Sequence, residues 1–174
     1  MRDHLRFEQS LSSPPEDVFL FFSDPANLPL LLPRWQAAQI TEMHLKAPIV
    51  PGGQNVPLRW RLAGEGSEIT LSFRPFSLAP FRLRWIASIE EFVWGRSFVD
   101  LQIKGPFAFW RHRHTVEPAG SGTLLRDEIE YEPPFGQLGE TANRLFLRRQ
   151  IERTFSYRQK RVLELLGAKK SAQS

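Results

Sequence analysis

The chain is predicted to adopt an α+β fold in which a curved antiparallel sheet of about seven strands wraps one long C-terminal helix, with two short helices after the first strand. Three observations predict this. From Trp35 to about Tyr131 the chain reads as successive stretches of period-two alternation separated by turn residues at hairpin spacing. Between Gly139 and Gly167 there is neither Pro nor Gly, and apolar residues recur near helical spacing. Two proline-led segments lie between the first strand and the meander. Runs of strands flanked by helices argue for α+β rather than a parallel sheet.

The elements follow in order. "LRFEQSLS" alternates Leu5, Phe7 and Leu11 against Arg6, Glu8 and Ser10, a half-buried strand. In "SPPEDVFLFFSD", Ser13 and Glu16 have capping-box spacing and Pro14 suits a first helical position, predicting a short helix through Phe22. "DPANL" starts a second helix with Asp24 as N-cap, and Pro29 and Pro33 keep it short. Strand patterning then recurs in "WQAAQITEMHL", "LRWRL", "ITLSF", "FRLRWIASIEEF", "RSFVDLQIKG", "FAFWRHRHTVE" and "GTLLRDEIEYEP". In the fourth of these, Phe81, Leu83, Trp85, Ala87 and Ile89 share one face. The insertion-like "PGGQNVPLRWRLAGEG" leaves the strand count between six and eight. The last segment, with Leu138, Leu145, Ile151, Phe155, Val162 and Leu166 near helical spacing, can run roughly 40 Å at 1.5 Å per residue and cross a whole sheet. Gly167 is a fitting stop, and "AKKSAQS" reads as a frayed tail. A single domain over 1–167 with a disordered tail at 168–174 is expected.

Composition narrows the function. With 14 Phe and 5 Trp but only 2 Tyr, the chain has apolar aromatic area for a large lined interior or a plain core. It has no Cys, which excludes disulfides and thiolate chemistry. The start "MRDHLRFEQS" lacks an apolar signal region, and no apolar run approaches the ~20 residues that span a bilayer. A cytoplasmic protein is the expectation. Net charge is +4, but Leu138 to Lys170 holds nine basic and three acidic residues, +6, so the rest sums to −2. No nucleophile motif, phosphate loop or dinucleotide fingerprint is visible, and no cofactor is expected.

The order of elements, together with "PPEDVFLFFSDPANLPLLLP", "FVDLQIKGPFAFWRHRHTVEP", "GTLLRDEIEYEPPFGQLG" and "TFSYRQKRVLELL", resembles the START-like, or SRPBCC, superfamily over roughly residues 3 to 166. The nearest likeness is to its polyketide cyclase/dehydrase-type and coenzyme Q-binding-type branches, in a bacterial subgroup labelled only as ligand-binding. The resemblance implies a helix-grip fold, seven strands and a deep cavity under the last helix. It implies no single function, since members bind lipids, sterols, quinones or plant hormones, or catalyse aromatic-ring closure.

Alternation picks out candidate site residues. In "TLLRDEIEYE", Leu125, Asp127, Ile129 and Tyr131 share a face opposite Arg126, Glu128 and Glu130, so Asp127 points inward. In "FAFWRHRHTVE", Arg111 and Arg113 belong outside, where they can pair with Glu128 and Glu130. Trp110, His112 and His114 then face inward. Asp100 and Gln102 share parity with Phe98. The ligand-binding candidates are Trp60, Trp85, Phe98, Asp100, Gln102, Trp110, His112, His114, Asp127, Tyr131 and Phe155. Three readings of the polar group compete: a satisfied buried Asp–His network, the polar end of a ligand pocket, and a metal site. Two same-face histidines and a carboxylate can ligate a metal, but no further histidine lies nearby, and no metal is predicted.

Binding of a small hydrophobic molecule such as a lipid, quinone or polyketide-like compound is the expected function. The alternative is a cyclase- or dehydratase-like enzyme, with His112 or His114 as base, Asp100 or Asp127 as orienter and Tyr131 as carbonyl donor. A third reading is an interaction protein using the basic helix face of Arg144, Arg148, Arg149, Arg153, Arg158, Lys160 and Arg161. Membrane-surface contact through this face is expected to be weak at most, and nucleic acid is not an expected partner because Phe146, Phe155 and Tyr157 are assigned to packing.

Overall fold

The computed structural model describes residues 2–53, 56–57 and 59–167, with 137, 138 and 142–144 described by backbone alone. The tail expected at 168–174, Leu58, and the side chains of Leu138 and Arg144 lie outside the described residues. The seven strands are β1 (Asp3–Leu11), β2 (Gln39–His44), β3 (Glu68–Phe73), β4 (Leu83–Val93), β5 (Ser97–Lys104), β6 (Phe109–Ala119) and β7 (Gly122–Glu132). They form one curved antiparallel sheet in the order β1-β7-β6-β5-β4-β3-β2. The first and last strands are therefore neighbours, and the middle of the chain runs outward as a meander. Helix α1 (Pro15–Ser23) and two short 3-10 turns (Pro25–Leu31 and Arg34–Gln36) connect β1 to β2. Helix α2 (Gly136–Ala142), a π turn (Asn143–Leu147) and helix α3 (Arg148–Gly167) follow β7.

Sequence and structure agree where alternation is strict. β7 buries every second residue, including Leu125, Asp127, Ile129 and Tyr131. β6 buries Trp110, His112 and His114 and leaves Arg111 and Arg113 half-exposed on the other face. The arginines do not pair with Glu128 and Glu130, although these stand opposite in register. Both reach Glu91 instead, Arg111 Nη2 donating to Oε1 at 2.6 Å and Arg113 to Oε2. A register shift between Glu90 and Val93, with Glu91 at φ +50°, turns that carboxylate out of the ladder. Glu130 pairs with Arg2 at 2.8 Å.

Four expectations are corrected. Residues 59–62 of "LRWRL" are not strand. Its backbone donors serve other partners: Trp60 N–H bonds Pro57 O at 3.0 Å, Arg61 N–H bonds Asp24 Oδ2 at 3.1 Å and Ala63 N–H bonds Ser23 O at 2.9 Å. A coil strapped to the end of α1 shows the same alternation as a ladder. Second, "WQAAQITEMHL" is strand only from Gln39 and "FRLRWIASIEEF" only from Leu83, and Phe81 is exposed. Third, Ser13 does not cap α1. The residue before a proline is driven out of the α region, so Pro14, which precedes Pro15, takes ψ 146° and becomes the N-cap. Ser13 Oγ donates instead to Leu166 O at 3.1 Å, tying β1 to the end of α3. Fourth, the terminal helix is not a uniform α-helix. The π turn inserts a residue and changes the helix phase, so Leu147, not Leu145, continues the stripe of Ile151, Phe155, Val162 and Leu166. Leu145 and Phe146 are exposed. Asp24 caps the first 3-10 turn as expected, accepting from Ala26 N–H at 3.0 Å.

The core divides in two. One cluster joins α1 to the sheet and the end of α3 through Val18, Phe19, Phe98, Val116, Leu125, Val162 and Leu166. The other joins Leu5, Trp110, Ile129, Tyr131, Ile151 and Phe155 beneath the start of α3. Among the described residues no helix is long and apolar enough to cross a membrane.

Candidate functional site

Between the sheet and α3 lies a cavity of about 370 Å³. Its walls are mainly apolar and aromatic. Trp85 and Trp110 meet edge to face at 5.1 Å, with Phe107 at 5.7 and 4.8 Å from them. Leu71, Leu83, Ala87, Ile89 and Phe98 line the sheet side, and Leu147, Ile151 and Phe155 line the helix side. This is the space an amphipathic helix leaves when its two ends are packed by separate clusters and its middle spans a concave sheet.

A polar cluster closes one end. Register brings it together: His112 stands opposite Asp100 on β5, and His114 stands opposite Asp127 on β7. His114 Nε2 lies 3.0 Å from Asp100 Oδ2, and its Nδ1 lies 2.9 Å from Asp127 Oδ1. His112 Nε2 lies 2.9 Å from the same Asp127 oxygen. Arg158, on α3, brings Nη2 to 3.2 Å from His114 Nδ1 and 3.5 Å from Asp127 Oδ1. Carboxylates can only accept, and the shorter contact of Nδ1 is to one. His114 Nε2–H therefore donates to Asp100, while Nδ1 lies between the Arg158 Nη2 donor and the Asp127 carboxylate.

The charges follow from these contacts. For His114, burial opposes the charge, but the hydrogen bonds to Asp100 and Asp127 outweigh it and raise its pKa. For His112, burial dominates, the neighbouring His114 adds to it, and the pKa falls to about 4. Burial works against both carboxylates, yet Asp127 is held well below its ordinary range by Arg158 and the two imidazoles, and Asp100 is lowered by His114. The cluster thus sets two carboxylates, Asp100 and Asp127, against Arg158 and an imidazole, His114, whose charged form they favour, with His112 neutral.

Of the residues predicted for the site, Trp85, Phe98, Asp100, Trp110, His112, His114 and Phe155 line the cavity. Asp127 does not; it lies behind the histidines and orients them. Tyr131 is fully buried against Trp110 and Phe107 rather than at the wall. The Gln102 amide is occupied at the β5–β6 turn, donating to Phe107 O at 2.9 Å and accepting from Phe107 N–H at 3.4 Å. Trp60 packs on the α1 core with Arg59 over its ring.

Arg158, which the sequence places on the basic helix face, is instead 6% exposed and lines the cavity. The signal was its phase: it falls between Phe155 and Val162 on the buried stripe. Other cations of the helix face do find acids, Arg148 with Glu152 and Asp3, and Arg161 with Glu164. Asp100, His112 and His114 do offer ligand atoms within 4.8 Å of one another. The adjacent guanidinium already supplies the positive charge a metal would bring, which favours a hydrogen-bonded cluster over a metal centre.

The fold agrees with comparisons against known proteins. The profile of the family described as "Polyketide cyclase / dehydrase and lipid transport" matches residues 11–159. The chain belongs to this family. No curated protein matches the sequence. Among solved structures, the Zhui aromatase/cyclase from Streptomyces sp. R1128 superposes with TM-score 0.70 at 13% identity, covering 99% of this chain and 98% of that one. A START superfamily protein from Mycobacterium smegmatis gives TM-score 0.64 at 14% identity, covering 95% and 97%. Norcoclaurine synthase from Thalictrum flavum, solved with dopamine and hydroxybenzaldehyde, gives 0.58 at 15% identity, covering 94% and 88%. At these identities the likeness is one of fold.

Proposed function

We propose that the protein binds a small, largely apolar molecule, of the lipid, quinone or polyketide-like kind, between the sheet and α3. The observation that carries this is the cavity itself, about 370 Å³, walled mainly by apolar and aromatic side chains, with the Asp100, His112, His114 and Arg158 cluster on its lining. That volume lies within the range of small-molecule sites, and apolar walls with a few convergent polar groups are their usual make-up. Trp85, Phe98, Trp110 and Phe155 supply the apolar surface, and Asp100, His112, His114 and Arg158 the orienting end. The family's description, which includes lipid transport, supports the same reading. Native mass spectrometry of the purified protein before and after organic extraction tests it. A small adduct that extraction removes, and that an Ala87→Trp variant from the same host lacks, is expected. Empty protein from several hosts would count against binding.

A second reading is favoured by one specific observation. Two histidines at the cavity wall have pKa values displaced in opposite directions, His112 down to about 4 and His114 up. Such a split is how acid and base roles are divided in one site. In a cyclase- or dehydratase-like enzyme, Asp127 would orient His112, with Arg158 rather than Tyr131 polarising a carbonyl. The double change His112→Ala, His114→Ala separates the readings: turnover is abolished in a catalyst, whereas affinity is only weakened in a carrier.

A further inference from the structure

Arg158 carries a donor that no group among the described residues uses. Its Nη2 is engaged with His114 and Asp127, and its guanidinium lies over the Phe22 ring, 4.9 Å from the centroid. Its Nε is buried without a hydrogen-bond partner. Ser23 Oγ, at the end of α1, is also buried, unpartnered and part of a cavity-lining residue. A buried unpaired donor is costly, and a guanidinium N–H especially so. Both atoms belong to residues that line one cavity, and an oxygen acceptor on a bound molecule that reached either would relieve the cost.

The surrounding charges decide which kind of oxygen fits. Asp100 and Asp127 already match or outnumber the positive groups beside them, Arg158 and, when protonated, His114. A ligand carboxylate, phosphate or sulfonate would add a buried negative charge with no counter-charge. A neutral His114 would only deepen that imbalance. A ketone, aldehyde or ester oxygen accepts the Nε–H and leaves the balance intact.

We propose that the cavity selects a neutral, carbonyl-bearing apolar molecule, anchored by the Arg158 Nε–H on its carbonyl oxygen. This rests on the binding reading above and narrows its ligand class. Arg158 is then the specificity-determining residue of the site. Fatty acids and other anionic amphiphiles are disfavoured even where their chains would fit.

Three near-isosteric probes test it by equilibrium dialysis at pH 7.5: 2-acetylnaphthalene, 2-naphthoate and 2-ethylnaphthalene. The ketone is expected to bind the native protein about tenfold or more tighter than the carboxylate. Its advantage over the alkyl probe is expected to fall about tenfold in Arg158→Met, as a lost hydrogen bond to a charged donor requires. Arg158→Lys keeps a charge for Asp127 but lacks the Nε–H. The same fall is expected there, and that variant decides should Arg158→Met not fold. A carboxylate that binds as tightly as the ketone, or a ketone-to-alkyl ratio unchanged in either variant, overturns the proposal. In both cases continued binding of 2-ethylnaphthalene leaves the cavity reading standing. Failure of all three probes to bind overturns both.

Discussion

Asp127→Asn is the most informative single change in the polar cluster. The side chain is 3% exposed, and one oxygen meets His112 Nε2 at 2.9 Å, His114 Nδ1 at 2.9 Å and Arg158 Nη2 at 3.5 Å. The amide keeps the shape and one acceptor but removes the charge. Arg158 and His114 then face Asp100 alone. Breaking a buried ion pair by removing one partner costs about 3–5 kcal/mol. Because the amide oxygen still accepts, the lower end, about 3 kcal/mol, is expected at neutral pH. His114 should also lose its raised affinity for a proton, since Asp127 is one of the two carboxylates that raise it. Urea unfolding followed by tryptophan fluorescence reads the first effect as a lower midpoint at unchanged slope. Nitrogen-15 NMR of the imidazole reads the second as a neutral ring at pH 6.5. Asp127 has a lowered pKa, so its contribution is complete above the ordinary carboxylate value of 3.8 and fades as pH falls toward the folded value. The gap between variant and native protein should therefore narrow only below that pH. A loss under about 1 kcal/mol, with His114 still charged, would refute the assigned contacts, because it is the size of one ordinary hydrogen bond.

Other predictions follow from the same geometry. An unfolded chain protonates His112 near 6.5 and the native protein only near 4, so this residue makes stability fall as pH drops through that window, by about 3 kcal/mol in full. His112 should accordingly stay neutral by NMR at pH 5.5, while His114, raised, contributes stability that is present below 6.5 and lost as pH rises through its own pKa. Gly122→Ala would drive a methyl into Leu11 O across the β1–β7 pairing, and a loss of about 2 kcal/mol in urea unfolding is expected. Glu91→Gln removes the partner of Arg111 and Arg113 on the exposed face, and should cost no more than about 1 kcal/mol, less in high salt.

Strict alternation carried the sheet's inner face from sequence to structure. Three charges on one side of β7 and two on one side of β6 leave a single arrangement that keeps charge in water. That parity set Asp127, His112 and His114 together before any coordinates. The helix was less legible because a charged residue on an apolar stripe contradicts the pattern used to find the stripe. Arg158 is buried only because Asp127 and His114 receive it, and partners on other elements are invisible to periodicity. "LRWRL" misled for the converse reason: alternation records which side is buried, not whether a neighbouring strand supplies the hydrogen bonds. Gln102 and Tyr131 had the right parity but stand where the sheet meets a turn and a packed aromatic cluster rather than open space. The π turn, which moves the helix stripe from Leu145 to Leu147, leaves no mark that residue spacing reveals.

Calorimetric titration with 2-ethylnaphthalene, an uncharged probe that needs no polar anchor, tests the existence of a usable apolar cavity most directly. The native protein should bind one molecule with a negative heat-capacity change, the signature of apolar burial. Ala87→Trp, which pushes an indole from β4 into the cavity, should remain folded and bind none. Equal binding by both proteins, or none by either, would contradict a ligand site between the sheet and α3.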